Sequence, residues 1–413
     1  MRVDLDSFEE ILIAITRNKT RSVLTAFGVF WGIFMLIILL GGSRGLQDML
    51  SVNFEGFASN SGFTYSEPTS KPYKGFRKGR YWNLENRDIE IVRQAVPEVD
   101  VVTPSLAKWG MTAVAGENKI SCTVKGAYPD MKKIEDMDIR MGRSINDMDI
   151  KGRRKVCIMG KWVYETLFPK GGDPCGSYIR IDGIYYQVVG VSFSAGNMNI
   201  QGQAQSSITL PFTTMQENYN FGKKIDVLCY TAKSGHPVSE VQEKIEKVIK
   251  EAHFIHPDDK QAVLSLNAEA MFSMVDNLFK GINILGWMVG LGTLLAGAIG
   301  VSNIMMVTVK ERTVEIGIRR AIGAKPSDIM GQILSESMVL TIMAGMAGIS
   351  FGVLVLQMTE ILTAGSGTPA HFQISFWMAI GACALLMVLG VLAGLAPAYR
   401  AMSVKPVEAI GDE

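Results

Sequence analysis

Four long stretches of this sequence contain no charged residue, and they limit its fold more than any other feature. They run from residue 22 to 43, from Gly281 to Val309, from Ser337 to Thr359 and from Ile361 to Tyr399. Roughly eighteen or more apolar residues without charge are enough to span a bilayer as a helix. We therefore predict four transmembrane helices over residues 22–43, 281–309, 333–358 and 375–397. A cleavable signal peptide explains the first stretch less well, because the charged segment before it is long and of mixed sign.

The basic residues near the span ends predict the orientation of the chain. Lys and Arg flank the first span on its N-terminal side, fill the connection between the second and third spans, and follow the fourth span. The connection over residues 359–374 has none. Because cytoplasmic loops are rich in Lys and Arg, both termini and residues 310–332 are expected in the cytoplasm. Residues 44–280 and the short loop 359–374 are then extracytoplasmic.

The N-terminal segment, residues 1–21, has the pattern of an amphipathic helix. Ser7 and Glu10 form a capping box, and apolar residues recur from Phe8 to Ile15 at helical spacing. We expect this helix to lie along the cytoplasmic membrane surface. The alternative is an ordinary cytoplasmic helix that packs on the spans. Residues 398–413 form the cytoplasmic tail.

Residues 44–280 have the composition of a folded α+β domain. Asp182-Gly183 separates two β-rich runs and predicts a hairpin, while residues 84–96 and the segment after Pro237 have helical periodicity. Helix-like sequence joins the domain to its two spans, at Arg44–Phe57 and Ala268–Lys280, and predicts helical stalks. The predicted fold is thus an integral membrane protein with four transmembrane α-helices and a large α+β extracytoplasmic domain between the first and second. The chain's formal net charge of +1 gives no reason to expect nucleic acid as a partner.

The residue types that usually carry catalysis or metal binding occur here without a motif. Cys122, Cys157, Cys175 and Cys229 all fall in the outer domain, and the sequence leaves open three disulfide pairings or four free thiols. No metal-ligand spacing is present. The histidines His236, His253 and His256 have no motif around them, and the last two are expected on the surface near a helix end. We therefore predict a chain that is not an enzyme and that binds no cofactor or metal.

The segment "KERTVEIGIRRAIGAKPSDI", residues 310–329, is the most charge-dense part of the second half of the chain. Glu315 and Arg319 are spaced to pair on one helix, and Gly323 and Pro326 predict its end and the start of the next. Glu336, just inside the third span, is placed to pair with a basic residue of this helix. Four apolar residues can share one face of this helix: Val314, Ile318, Ala321 and Ile322. A plain helical turn and a docking element fit this pattern equally well.

The same region resembles the signature of the permease family that includes MacB and FtsX. The similarity covers "MVTVKERTVEIGIRRAIGAKPSDIMGQILSES", the ending "GLAPAYRAMSVKPVEAI" and the approach to the first span, "RNKTRSVLTAFGVFWGI". In the outer domain, "GRSINDMDIKGRRKVCIMGKWVYETLF" and "DPCGSYIRIDGIYYQVVGV" resemble a MacB-type periplasmic core. The resemblance implies that residues 44–280 are this core with its stalks, with an inserted subdomain at about residues 131–206.

The resemblance implies that the chain is a permease subunit of an ABC transporter in the bacterial inner membrane. Residues 310–332 would be the coupling helix that docks on an ABC ATPase, and the expected ATPase-coupling residues are Glu311, Arg312, Glu315, Ile316, Gly317, Arg319, Arg320, Ala321, Gly323 and Ala324. Charged members would pair across the interface, while Ile316 and Ala321 would fill its groove. The chain contains no Gly-x-x-x-x-Gly-Lys-Ser/Thr motif. ATP and Mg are therefore expected on a separate ATPase subunit.

The resemblance also implies partners and leaves several roles open. A second permease copy, or a close paralogue, would complete a dimer, and a periplasmic adaptor and an outer-membrane channel would continue the export path. The alternatives are a lipoprotein-release permease and an FtsX-like signal transducer that controls a cell-wall hydrolase. A membrane-anchored enzyme is the alternative from another class.

Overall fold

The computed structural model describes residues 19–53, 56–194, 200–364 and 371–404, and the chain divides into two units. The boundaries lie between residues 49 and 50 and between residues 276 and 277. Residues 1–18 of the predicted N-terminal amphipathic helix and residues 405–413 of the predicted tail lie outside the described residues. The α-helices are α1 Lys19–Asn53, α2 Asn86–Ala95, α3 Asp147–Lys151, α4 Lys161–Leu167, α5 Phe212–Asn218, α6 Val238–Ala252, α7 Ala268–Glu311, α8 Thr313–Ala321, α9 Pro326–Ala364 and α10 Phe376–Met402.

The strands all belong to residues between α1 and α7. They are β1 Ser61–Ser66, β2 Leu84–Glu85, β3 Val99–Ala115, β4 Asn118–Ala127, β5 Ile139–Gly142, β6 Val156–Gly160, β7 Tyr178–Ile181, β8 Ile184–Ser192, β9 Ser207–Pro211, β10 Lys224–Ile225, β11 Val227–Ala232 and β12 Val263–Asn267. Two short 3₁₀ helices cover Pro129–Lys133 and Ala204–Ser206.

The membrane unit confirms the predicted four spans. Four helices are long and apolar enough to cross a membrane: Ala26–Leu50, Ala268–Glu311, Pro326–Thr363 and Phe376–Met402. Their shared core contains Ile33, Leu294, Val301 and Leu386, all at most 2% exposed. A large domain of helices and strands lies in the sequence between the first and second helices, as the sequence predicts.

Glycines let these helices approach closely. A Cβ on Gly297 would lie 2.9 Å from the backbone of Gly28, and one on Gly352 would lie 2.8 Å from the Ile37 side chain. A Cβ on Gly394 would lie 2.9 Å from the Ser337 hydroxyl oxygen. Small residues bring helix backbones together in lipid, where no hydrophobic effect drives the association of helices. Gly297, Gly352 and Gly394 therefore lie at contacts between helices.

The outer unit is built on a ten-stranded mixed sheet. Its order is β12-β1-β11-β3-β4-β9-β6-β8-β5, and β7 pairs with both β3 and β8. Most neighbours are antiparallel, but β4 pairs with β9 and β6 pairs with β8 in parallel. The strands of residues 131–206 are therefore hydrogen-bonded into the same sheet as the rest of the unit, and the predicted inserted subdomain remains a prediction.

The hairpin predicted at Asp182-Gly183 is confirmed. Strands β7 and β8 pair in antiparallel register around it, with Ile181 opposite Ile184. Both turn residues have positive φ, 48° and 90°, as a two-residue hairpin loop of this type requires. The helices predicted at residues 84–96 and after Pro237 are α2 and α6, and their apolar faces pack into the main core of the unit.

The cysteine question that the sequence leaves open has a definite answer in the structure. All five cysteines are free thiols, and Cys122, Cys157 and Cys229 are buried. Burial raises the pKa of the Cys122 thiol to about 11 and raises those of Cys157 and Cys229 further above their usual range. These side chains are small core residues whose thiols are unreactive at neutral pH.

Candidate functional site

The region between the second and third spans is a short helix between two sharp breaks. Helix α7 ends at Glu311, α8 follows after Arg312, and α9 begins at Pro326. The end of α8 has both hydrogen bonds of a Schellman motif, from the Ala324 amide to the Arg319 carbonyl and from the Gly323 amide to the Arg320 carbonyl. Gly323 has φ +108°, which an L-residue rarely adopts. The helix end predicted at Gly323 and the helix start predicted at Pro326 are confirmed.

Three side chains fix α8 to the neighbouring helices of the membrane unit. The Arg312 guanidinium lies 3.2 Å from the Glu336 carboxylate on α9, and that carboxylate side chain is only 5% exposed. Arg319 donates to the Gln332 amide oxygen at 2.9 Å. The predicted pairing of Glu336 with a basic residue of this segment is thus confirmed.

Arg320 makes the third contact, to the end of the last span. Its Nη1 donates to the Met402 and Val404 carbonyl oxygens, both at 2.7 Å. The last carbonyls of a helix have no partner within that helix and carry partial negative charge, so a cation is favourable there. Arg320 therefore caps the C-terminus of α10. Sequence reasoning did not find Gln332, Met402 or Val404, since backbone carbonyls and distant amides carry no local sequence signal.

The two faces of α8 differ in what they contact. Ile316 is 6% exposed and belongs to the apolar core of the membrane unit, and Gly317 is also buried. On the other face Val314, Ile318 and Ile322 are 54%, 45% and 82% exposed. Residues 316 and 318 lie about 200° apart on a helix, so they cannot share a face. We call Val314, Ile318 and Ile322 the apolar strip.

This arrangement corrects the expectation that Ile316 fills a groove on a partner. Its side chain is enclosed by the protein's own helices, and its burial fixes the position of α8. Among the other expected coupling residues, Glu311, Glu315, Ala321 and Gly323 are exposed, whereas Arg312, Arg319, Arg320 and Ala324 are partly buried. The predicted Glu315–Arg319 pair is confirmed, with the two side chains 2.9 Å apart.

The exposed side of this site carries both apolar and charged side chains. An exposed apolar strip of three side chains and the exposed Glu315 lie on a helix that three arginines fix in place. No group of three or more His, Cys, Asp or Glu residues in the described part of the chain could hold a metal ion.

The histidines need one correction. His253, expected on the surface, is 8% exposed, and its Nε2 lies 2.8 Å from the fully buried Asp88 carboxylate. Its ring also packs on Trp82, with the ring centroids 4.6 Å apart. The aspartate partner is far away in sequence, which is why the spacing of residues gave no sign of it.

Two family models match the chain. The MacB-like periplasmic core domain matches residues 22–248, and the FtsX-like permease C-terminal domain matches residues 287–406. The first covers more than half of the chain, and the second contains the whole of α8 with the spans around it.

Relatives with curated descriptions match along nearly the whole chain. The pyoverdine export ATP-binding/permease protein PvdT of Pseudomonas syringae pv. tomato is 28% identical over 99% of this chain and 60% of its own length. The macrolide export ATP-binding/permease protein MacB of Psychrobacter arcticus is 26% identical over 98% of this chain and 59% of its own length. The chain thus spans about three fifths of the length of these relatives.

Two extracytoplasmic domains are among the solved structures that align with part of this chain. The periplasmic region of MacB from Actinobacillus actinomycetemcomitans aligns with a TM-score of 0.43 and 15% identity, covering 55% of this chain and 96% of its own. The extracellular domain of the transporter YknZ from Gram-positive bacteria aligns with a TM-score of 0.40 and 20% identity, covering 50% of this chain and 100% of its own.

Proposed function

We propose a function for this chain that starts from its family: it belongs to the MacB/FtsX-type ABC transporter permeases. The chain would couple an ABC ATPase to movement of its periplasmic domain, and this movement would export periplasmic substrates. The chain is a multi-pass membrane protein with a periplasmic domain. Its working form would be a dimer of permeases in the bacterial inner membrane, with both termini in the cytoplasm. ATP and Mg would bind to the ATPase, which the 413 residues do not include.

The single observation that supports this function best is the apolar strip on a fixed helix. Exposed apolar side chains are common on the lipid-facing surface of a membrane protein, but α8 lies in a charged connection between two spans. On physical grounds, a ridge of Val314, Ile318 and Ile322 with carboxylates at its edge suits a groove with an apolar floor and a basic rim. Such a contact buries apolar anchors in the centre and leaves charge at its edge.

Helix length supports the transmission of movement. Helix α7 has 44 residues and α1 has 35, whereas a bilayer requires about 20. At about 1.5 Å per residue, α7 is roughly 66 Å long. Both helices connect the membrane unit in sequence with the strand-containing unit, so they are the segments through which a stroke at α8 would reach the periplasmic domain.

The relatives guide the proposed direction of transport. Proteins named for pyoverdine export and macrolide export match this chain from end to end. We propose export here too, with a periplasmic adaptor and an outer-membrane channel as further partners and with a small amphiphilic molecule or peptide as cargo. Lipoprotein release and control of a cell-wall hydrolase remain the alternatives, and the cargo of the purified complex would decide between them.

The experiment that tests coupling removes the apolar strip. Val314, Ile318 and Ile322 are each replaced by Asn in the full chain, which is then purified in detergent with its co-expressed ABC ATPase. The strip is exposed, so the substitutions should leave the Tm of the chain unchanged while co-purified ATPase and coupled ATP turnover fall by tenfold or more. The matched control replaces Ile361 and Leu362 by Asn. These exposed residues lie near the C-terminal end of α9, whereas α8 precedes its N-terminal end. Undiminished ATPase binding by the strip variant would refute the docking assignment.

Charge reversal provides a second, independent test. Glu315 is half exposed and its ion pair with Arg319 is a surface pair, of about 0.5 kcal/mol. Glu315→Lys should therefore leave membrane insertion and stability intact but abolish ATPase-linked activity, because it places a cation where the partner is expected to be basic. Transport that survives this reversal would contradict the proposed contact.

A further inference from the structure

The periplasmic domain carries a strongly basic segment for which the coupling mechanism has no use. Residues 67–83, "EPTSKPYKGFRKGRYWN", contain five basic residues and one acidic residue in a chain of net charge +1. Lys71, Lys74, Arg77 and Lys78 are exposed, and Tyr81 is 85% exposed. We call residues 67–83 the basic hairpin.

The basic hairpin has a defined conformation. The Tyr73 and Phe76 backbones exchange two hydrogen bonds, of 3.1 and 2.9 Å, around a two-residue turn. Both turn residues, Lys74 and Gly75, have positive φ, as in a type I′ turn. At the base, the Thr69 amide donates to the Arg80 carbonyl and the Gly79 amide to the Thr69 carbonyl. The cations are therefore held in a fixed pattern.

A buried carboxylate fixes the hairpin to the domain. Asp259 is 0% exposed and accepts from the Ser70 amide at 2.7 Å, the Ser70 hydroxyl at 2.7 Å and the Lys71 amide at 3.0 Å. Burial by itself raises the pKa of Asp259, but these bonds, with one from the Ala262 amide, outweigh burial and lower the pKa to about 2. The carboxylate is thus ionised at every physiological pH.

Arg80 and Trp82 complete the attachment. Arg80 Nη2 donates to the His253 carbonyl oxygen at 2.6 Å, and its guanidinium lies 4.1 Å from the Phe76 ring centroid. The indole of Trp82 donates to the Glu67 carbonyl at 2.8 Å. Both side chains attach the hairpin to the rest of the domain, so neither is available to a partner.

The other cations of the hairpin form no ion pair with a carboxylate in the described part of the chain. Among the residues that the structure describes, no Asp or Glu oxygen lies within 4.0 Å of the side-chain nitrogens of Lys71, Lys74, Arg77 or Lys78. Next to the hairpin, a cavity of about 420 Å³ separates Tyr73 and Lys74 from α6. The α6 side of it carries both signs of charge: Glu243, Glu246, Lys247, Lys250 and Glu251. This nearly balanced wall does not neutralise the hairpin.

The hairpin stands at one end of the sheet. It follows Ser66, the last residue of β1, and Ser66 pairs with Val263, the first residue of β12. The chain enters β1 from residue 60 and leaves β12 into α7 at the opposite end, where Gly62 pairs with Asn267. The basic hairpin therefore lies at the end of the β1–β12 pair opposite to the end from which the chain continues into α7.

We propose that the basic hairpin is a docking surface for a second periplasmic protein with an acidic complementary surface. Exposed aromatic and arginine side chains on a rigid projection are typical of protein-binding residues. A second copy of this chain fits poorly, because a two-fold contact would bring the same cations face to face. The inference rests on the proposed function only for the expectation of a periplasmic partner, and it assigns that partner a place and a charge.

The test uses the full chain in its native membrane. A photocrosslinking amino acid replaces Tyr81, whose side chain is largely free in the structure. We expect an adduct with one protein, whose crosslinked segment, identified by mass spectrometry, is rich in Asp and Glu. The triple variant Lys71→Glu, Arg77→Glu and Lys78→Glu should lower adduct yield at least about tenfold, because opposed charges are replaced by like charges. Lys or Arg placed at the identified acidic positions of the partner should restore it.

The control and the opposing results are equally definite. Lys119→Glu, Lys155→Glu and Lys170→Glu reverse three other exposed lysines and should leave the adduct within about twofold. The proposal is overturned by the absence of a protein adduct, by adducts with lipid or a second copy of the chain, or by a yield that charge reversal does not change. ATP turnover of the detergent-purified complex should be unaffected by the triple reversal, so a failure here is distinct from a failure of the coupling assignment.

Discussion

Replacing Arg312 by Met separates two roles that the sequence could not distinguish. The resemblance leads us to expect Arg312 among the residues that contact an ATPase, but its guanidinium lies 3.2 Å from the Glu336 carboxylate inside the membrane unit. If the structure is right, Arg312→Met leaves a carboxylate that is 5% exposed without its cation. The consequence should be a loss of stability, whatever happens to coupling.

The expected magnitude follows from the burial of the pair. Removing one member of a buried ion pair costs about 3–5 kcal/mol, because the other charge stays buried without compensation. The Arg312 side chain is 20% exposed. We therefore expect the lower end of that range, about 3 kcal/mol. For a unit of this size, about 2–4 °C of Tm per kcal/mol predicts a fall of roughly 6–12 °C.

The assay is a double-mutant cycle on the full chain in detergent, followed by tryptophan fluorescence during heating. Arg312→Met with Glu336→Met removes both charges and should be more stable than Arg312→Met alone, since apolar groups replace a buried pair at little cost. Lys310→Met, an exposed cation two residues away, is the control and should not shift the Tm. An Arg312→Met chain that keeps its Tm but no longer co-purifies with the ABC ATPase would refute this reasoning.

Three further predictions concern the rest of the chain. Asp259→Asn should accelerate amide hydrogen exchange at Ser70 by tenfold or more. It should also weaken the acid-induced loss of stability between about pH 4 and pH 2, because the pKa of Asp259 is about 3.9 in the unfolded chain and about 2 in the folded one. Titration of the denatured chain should give the same number of thiols with and without reductant. In the native domain a maleimide should label Cys175 faster as the pH approaches 11, since burial and the nearby Asp173 raise the pKa of its thiol to about 11. Gly348→Leu should destabilise the membrane unit, because a Cβ there would lie 2.7 Å from a carbonyl oxygen of α1, while Gly381→Leu, which points into open space, should not.

The spans and the connection after the second span were readable from sequence for a simple physical reason. A bilayer requires about 20 consecutive apolar residues, so a membrane helix can be recognised from its own stretch of sequence. The end of α8 is equally local, because Gly323 and Pro326 each suit a backbone conformation that few other residues adopt as easily. These features need no knowledge of distant parts of the chain.

The sheet and its attachments could not be predicted in the same way. The parallel pairs β4–β9 and β6–β8 join strands with other elements between them, and no short motif specifies such pairings. The basic hairpin was also missed as a unit, since its key partner Asp259 lies 189 residues beyond Ser70. A dense run of Lys and Arg without helical period was the signal that could have found it.

The face of α8 was uncertain because both of its sides carry isoleucine. The apolar strip was visible at spacing four, but Ile316 looked equally suited to a partner until its neighbours were known. A helix of nine residues is not stable alone in water, so the position of α8 depends on its contacts with α9 and α10 through Arg312, Arg319 and Arg320. A force applied to the strip must therefore act on the two helices that hold it. That physical linkage is what the proposed coupling requires, and it makes the three arginines as necessary to the proposal as the side chains of the apolar strip.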